Sequence, residues 1–235
     1  MTTTRQNADP TSTSASSTGP GPIRVDVWSD IACPWCYIGK RKFESAVAET
    51  GIPVEIEYHA FELAPDLPEE FEGSERDYLE IRGYSDDEVE PLLARIVGAA
   101  KTVGLDFDYA VLRHTNMLKG HQLIHWAKTE GRQLDMVERI LAAHFEQGRH
   151  VGRDQDLADL AAEIGLDREK ALAALEGGRY VDEVQADEAR ARQLGIQSVP
   201  YYVFENAYGV PGAQDAATFA GILRQLAEEK REAAR

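Results

Sequence analysis

IRVDVWSDIACPWCYIGKRKF, residues 23–43, decides the fold, because its periodicity changes partway along and two cysteines stand at the change. Ile23, Val25 and Val27 alternate with Arg24, Asp26 and Trp28, the two-residue period of a strand. Further on, Phe43, Ala46 and Val47 recur at helical spacing, so Cys33 and Cys36 open a helix at a strand-to-helix junction. The first N–H groups of a helix have no intrahelical partner, and the positive end of the helix dipole favours an anion such as a thiolate. Cys33 is therefore placed as the nucleophile. Cys36, one turn deeper, is placed to attack a mixed disulfide on Cys33 and release the substrate.

These are the chain's only cysteines. They cannot complete a four-thiolate zinc site, and a Cys2His2 site needs two histidines at matched spacing. His121 and His125 stand four apart on one helical face but lack the glutamate of a His-Glu-x-x-His motif. A permanent disulfide across so short a loop would constrain the unfolded chain little. Redox exchange is the reading that remains, and it needs no bound cofactor because the cysteine pair itself stores the two electrons.

Composition narrows the partners. The chain has 235 residues, 43% of them hydrophobic, enough for one good core or two small ones. Its 25 basic and 41 acidic side chains give a formal charge of −16, which argues against a nucleic-acid partner. No run approaches membrane-spanning length. Residues 1–22, rich in Ser, Thr, Gly and Pro without an apolar stretch, read as a disordered tail without a signal-peptide core. A cytoplasmic location follows, where a lone cysteine pair is catalytic rather than structural.

Val54, Ile56 and Tyr58 mark a second strand after the Gly51-Ile52-Pro53 turn, and Pro65 and Pro68 end that module. Residues 74–194 then read as an all-helical block. Ser85 and Glu88 form a capping box, with Gly104 at the exit of that helix. Asn116 caps a helix that ends at Gly131, and further helices are expected at 133–146, 155–164, 168–176 and 180–194, with Gly195 as a stop. Strand signals return at 200–204 and 208–210. A last amphipathic helix carries Phe219, Ile222, Leu223 and Leu226 behind an N-cap at Asp215. The predicted plan is a discontinuous α/β domain (23–73 and 195–228), a helical insertion (74–194) and a charged tail (229–235).

With these segments in place, the chain resembles the DsbA family of thioredoxin-fold thiol-disulfide oxidoreductases, and within it the FrnE-type branch. SDIACPWCYIGKRKFE at 29–44, FELAP at 61–65 and GIQSVPYYVFENAYGVPGAQ at 195–214 carry the resemblance. It implies the α/β, thioredoxin-like fold with a large all-helical insertion. It also implies that Cys33 is the exposed nucleophile, Cys36 the resolving thiol, and Pro200 a cis-proline beside the pair. A proline without an N–H leaves the backbone of Val199 free to pair with an extended substrate segment. Pro34, Trp35, Val199 and Pro200 would contact the substrate. In the insertion, Asn116 and His121 match the branch while Met117 and Gly120 depart from it, and His121 is expected to approach the active-site face.

Better-known oxidases of the family carry histidine where this chain has Trp35. An indole supplies no cation, though its face can meet an apolar substrate. Asp30, three residues before Cys33, would oppose a nearby thiolate if its carboxylate turned inward. Lys40 and Arg41 read as a solvated helix face.

The leading expectation is exchange with disulfide-containing proteins or small thiols, with a separate and unidentified redox partner recycling the pair. The same inserted architecture resembles glutathione-dependent isomerases and transferases, which typically use serine at the position of Cys33. A peptide-binding holdase is the non-enzymatic alternative.

Overall fold

The computed structural model describes residues 21–235, so the expected tail lies, for residues 1–20, outside the described residues. Strand β1 (Ile23–Ser29) is followed by helix α1 (Pro34–Thr50) and strand β2 (Val54–Ala60). β1 and β2 are parallel and in register from Ile23 opposite Val54 to Ser29 opposite Ala60, with α1 as the crossover. Gly51, at φ +63°, takes the left-handed conformation that ends α1.

After the insertion, β5 (Tyr201–Phe204) pairs antiparallel with β1, and β6 (Tyr208–Pro211) pairs with β5, giving the sheet order β2-β1-β5-β6. The last helix is packed against α1 by an aromatic cluster: Phe43 lies 5.2 Å from Phe219 and 5.5 Å from Tyr202 between ring centroids.

Between the two halves of the sheet lie β3 (Glu72–Gly73), α2 (Glu75–Ile81), α3 (Asp86–Lys101), β4 (His114–Thr115), α4 (Leu118–Thr129), α5 (Gln133–Phe145), α6 (Asp154–Glu163), α7 (Arg168–Glu176) and α8 (Val181–Gln193). The box at the start of α3 forms as the sequence predicts, Glu88 accepting from the Ser85 N–H at 2.9 Å. Asn116 sits one residue outside its predicted role. Met117 is the N-cap of α4, and the Asn116 side-chain Oδ1 accepts from the Leu118 N–H at 2.9 Å.

Three expectations need correction. The insertion is not all-helical, because Glu72 pairs with Thr115 and Gly73 with His114 in a short antiparallel ladder. Two-residue strands leave no period to read. On the second face of β1, Asp26 and Trp28 are fully buried because α8 covers them, and Arg24 alone stays partly exposed. Lys40 is buried and donates to Glu138 of α5 at 2.6 Å, and Arg41 bonds the same carboxylate, so this pair clamps α1 to the insertion. The final helix, α9 (Ala216–Ala233), runs through most of the expected charged tail. Its Ala, Glu, Lys and Arg residues are strong helix formers, and Lys230 and Arg231 favour the negative end of the dipole.

One continuous apolar core joins β1, α1 and α9 to α4, α5, α6 and α7, running from Val25, Phe43 and Phe219 through Ile31 and Tyr37 to Leu123, Ile140 and Leu157.

Candidate active site

Cys33 is the N-cap residue of α1, with extended backbone angles, and Pro34 occupies the first helical position. Proline suits that place because its fixed φ is helical and the N–H it lacks would have had no partner. The turn is closed by two backbone bonds, Cys33 N–H to the Asp30 carbonyl at 3.2 Å and Cys36 N–H to the Cys33 carbonyl at 3.0 Å. Both cysteines are free thiols.

The Val199–Pro200 peptide bond is cis, and the Cys33 Sγ lies 3.6 Å from the Val199 carbonyl oxygen. The sequence therefore brings Cys33, Cys36, Val199 and Pro200 together from segments more than 160 residues apart. Gly39 makes the approach possible. A Cβ there would stand 2.9 Å from the Tyr202 hydroxyl and 3.1 Å from Pro200 Cγ, so α1 can press against the proline only with glycine at that turn.

The expectation of an exposed Cys33 is not met. Cys33 is 4% exposed and Cys36 2%. Trp35 packs partly buried against the core, and the Arg95 guanidinium of α3 stands 5.9 Å over its ring. The insertion thus supplies a cation at Trp35 that the local sequence does not.

Burial pushes the Cys36 thiol well above its ordinary value, and the neighbouring Cys33 adds to the rise, while the Ser29 hydroxyl and the Asp30 N–H act against it. Cys36 is accordingly held as a thiol.

Asp30 does turn inward, but not uncompensated. Its carboxylate accepts from Ala32 N–H at 3.2 Å and Leu63 N–H at 2.8 Å, and its Oδ1 lies 3.1 Å from Nε2 of His121. Burial opposes ionisation of Asp30, yet His121 and the two N–H groups outweigh it and lower its pKa. Burial likewise disfavours the His121 imidazolium, and Asp30 outweighs that and raises it. His121 thus reaches the cysteine loop through Asp30. Glu62 stands nearby. Burial, together with the charges of Asp30 and Glu188, pushes its carboxyl up to about 7 against the pull of His121.

A second buried network lies under α8. His59 places Nε2 2.8 Å from Asp26 and Nδ1 2.8 Å from Asp187, so both ring nitrogens face carboxylates, which raise its pKa against the effect of burial. Asp187 also pairs with Nε2 of His125 at 2.9 Å and accepts from the Ala60 N–H at 2.9 Å. A cavity of about 20 Å³, lined by Ser29, Tyr58, His59, His121 and His125 among others, separates the two networks, and it is roomy enough for one water.

Asp26, Glu57 and His59 bring three candidate ligand atoms within 4.8 Å. Both His59 nitrogens are already committed to carboxylates, so the group is an ion-pair network rather than a metal centre. His121 and His125 each place Nε2 against a carboxylate, Asp30 and Asp187.

Sequence reasoning missed Gly39, Arg95, Glu62 and the Ser29 hydroxyl as neighbours of the pair. Gly39 alone carried a local signal, as a glycine on the buried side of an amphipathic helix.

Residues 24–224 match the family described as DSBA-like thioredoxin domain. The crystal structure of a probable DsbA oxidoreductase from Streptomyces coelicolor is 37% identical, with a TM-score of 0.81 over 86% of this chain and 89% of that one. An uncharacterized protein of Bacillus subtilis, YwbO, is 26% identical over 88% of this chain and 99% of its own. The cytosolic disulfide reductase DsbM from Pseudomonas aeruginosa, solved with GSH, shares the fold at 18% identity and a TM-score of 0.62, covering 89% of this chain and 99% of that one.

Proposed function

The chain belongs to the DSBA-like thioredoxin family of thiol-disulfide oxidoreductases, and we propose that it exchanges disulfides with protein or small-thiol substrates through Cys33 and Cys36. The observation that carries this reading is the placement of the Cys33 Sγ at a helix N-terminus, 3.6 Å from the carbonyl of a cis Val199–Pro200 bond. Cys33 attacks the substrate disulfide and holds one half as a mixed disulfide. Cys36 then loses its proton, attacks the Cys33 sulfur and expels the bound thiol, leaving a Cys33–Cys36 disulfide and a reduced substrate.

In this reading Val199 offers its free backbone to an extended substrate segment, and Pro34, Trp35 and Pro200 line the contact. No cofactor takes part. The glutathione in the solved reductase supports a small thiol as the recycling partner. We place this activity in the cytoplasm, where reduced thiols recycle such a pair. None of the helices of the described residues is long and apolar enough to cross a membrane.

The test compares wild type with Cys33→Ser in reduction of insulin disulfides and in oxidative refolding of a reduced model protein. Both activities should fall to background in the variant. Undiminished turnover would overturn the assignment and return attention to glutathione-dependent isomerisation, which tolerates a hydroxyl at this position, or to a holdase.

A further inference from the structure

Trp35, partly buried in the first turn of α1, stands between the two cysteines, and what reaches it from the insertion is a cation. Arg95 of α3 holds its guanidinium 5.9 Å over the ring. Most other cations of the described residues are spent on carboxylates: Arg41 on Glu44 and Glu138, Arg76 on Asp86 and Glu90, Arg82 on Asp66. Arg95 is exposed and, among the described residues, its guanidinium has neither an acid within ion-pair distance nor a hydrogen-bond acceptor. Its own helix explains this. The positions one turn to either side are Pro91, Leu92, Gly98 and Ala99, so α3 offers it no acidic neighbour in a chain with 41 acidic side chains. A Cβ on Gly98 would meet nothing within 4 Å, so the helix surface one turn beyond Arg95 is open.

An arginine drawn to an aromatic face keeps the N–H donors at its edge, and the planar fork of those donors matches a carboxylate in two parallel bonds. The formal charge of −16 repels anions at long range, so an unpaired cation at the indole is where a negatively charged substrate would gain a hold. We infer that Arg95 is a specificity-determining residue of the exchange reaction: its guanidinium receives a carboxylate of the substrate beside Trp35, so that disulfides carrying a carboxylate close to the reacting sulfur are favoured over neutral or cationic ones. This rests on the exchange reaction proposed above. In that step the Cys33 thiolate attacks one sulfur of the substrate, a Cys33–S bond forms, the substrate S–S bond breaks, and the other half leaves as a thiolate that takes up a proton. Arg95 takes no part in the bond changes. It raises the fraction of encounters that seat an acidic disulfide at Cys33.

The experiment uses full-length protein in the Cys36→Ser form, so that each attack by Cys33 is trapped, and disulfides of different charge as probes. Oxidised glutathione carries carboxylates and a net negative charge, bis(2-hydroxyethyl) disulfide is neutral, and cystamine carries ammonium groups. Adduct formation on Cys33 is followed by acid quench and intact mass, and each rate is taken relative to that of the same probe with the parent protein.

Arg95→Gln should lose about tenfold with oxidised glutathione and far less with the other two probes. Arg95→Lys, which keeps the charge without the fork, should fall between, and Arg95→Glu should lose more with glutathione while gaining severalfold with cystamine. Salt at about 1 M should narrow the gap between the parent and Arg95→Gln. Arg235→Gln removes one cation just past α9, where Lys230 bonds the Pro22 carbonyl at the opposite end of β1 from Cys33, and it should match the parent with every probe. Equal losses with all probes in Arg95→Gln would show that Arg95 only steadies Trp35, and an unchanged glutathione rate would show that it receives no carboxylate; either result overturns the inference. If the parent forms an adduct with none of the probes, it is the exchange reading itself that fails.

Discussion

The two faces of the sheet are built from different materials. Under α1 and α9 the packing is aromatic, with Phe43, Tyr202, Phe204 and Phe219 in mutual contact and fully or almost fully buried. Under α8 the same sheet carries Asp26 and His59, which form with Asp187 of α8 a largely buried ionic chain that continues to His125 of α4. The apolar face holds α1 and hence the cysteines. The ionic face fixes where α8 and α4 stand, and so where His121 meets Asp30. Reactivity lies at the edge of one face, and the groups that surround it are placed from the other.

The sharpest division between the faces comes from Cys36→Ser. Turnover should fall to background while a stable adduct accumulates on Cys33, read by intact mass after exposure to a disulfide substrate. Adducts found mainly on Cys36 in the reciprocal Cys33→Ser protein would reverse the roles of the two thiols.

On the ionic face, Asp187→Ala leaves His125 Nε2 and the Ala60 N–H without this acceptor and His59 with Asp26 alone. Equilibrium denaturation should show a loss of about 3–5 kcal/mol, with the chemistry at Cys33 retained in the folded fraction. A loss below about 1 kcal/mol would mean that the network is solvated and does not lock the helices.

pH separates the paired histidines from an unpaired one. His144 is fully buried on α5, neither ring nitrogen has a partner, and burial with the nearby His114 lowers its pKa to about 3. The unfolded chain therefore binds more protons at this residue below about pH 6.5, so stability falls as pH drops from there toward 3, by up to ~1.4 kcal/mol per unit. His59 and His121 act in the opposite sense. Their pKa values are raised, so their contribution is full below about 6.5 and is lost as pH climbs through the folded values. Asp26, Asp30 and Asp187, all lowered, contribute above about 3.9 and fail only in stronger acid. Denaturation of His144→Leu between pH 4 and 6.5 should show a flatter acid limb than wild type. Coincident slopes would mean that His144 keeps its proton.

The smallest effect belongs to the contact between α1 and Pro200. Gly39→Ala should cost about 1–3 kcal/mol and slow turnover severalfold, because the new methyl meets Tyr202 and Pro200 at about van der Waals limits or closer. Unchanged melting and turnover would show that α1 can shift there without consequence.

What the sequence disclosed is what neighbours in the chain determine. The Cys33-to-Cys36 turn, the β1–α1–β2 unit, the Ser85 box and most helix spans rest on periodicity and caps within a few residues. The cis bond at Pro200 was reachable through the family resemblance. Asp30 with His121, and His59 with Asp187, were not legible, since their partners lie 91 and 128 positions away. The same holds for the buried face of β1. Trp28 and Asp26 alternate as an exposed row would, and only the arrival of α8 turns that row inward. Burial of Cys33 escaped for a related reason: the motif specifies its backbone, while its surroundings come from Val199 and the insertion.

The unbroken core between the α/β part and the insertion has a consequence for anyone who would re-engineer the chain. Although residues 74–194 can be marked off on paper, cutting them out would open Ile31, Tyr37 and Phe43 of the shared core to water along one long wound. A graft would need a donor whose helices carry matching knobs for those holes, and a linker that merely spans the gap would leave a sticky remnant. Recombination between distant relatives should therefore succeed when the break points keep α1, α4 and α5 together, and fail when they divide them.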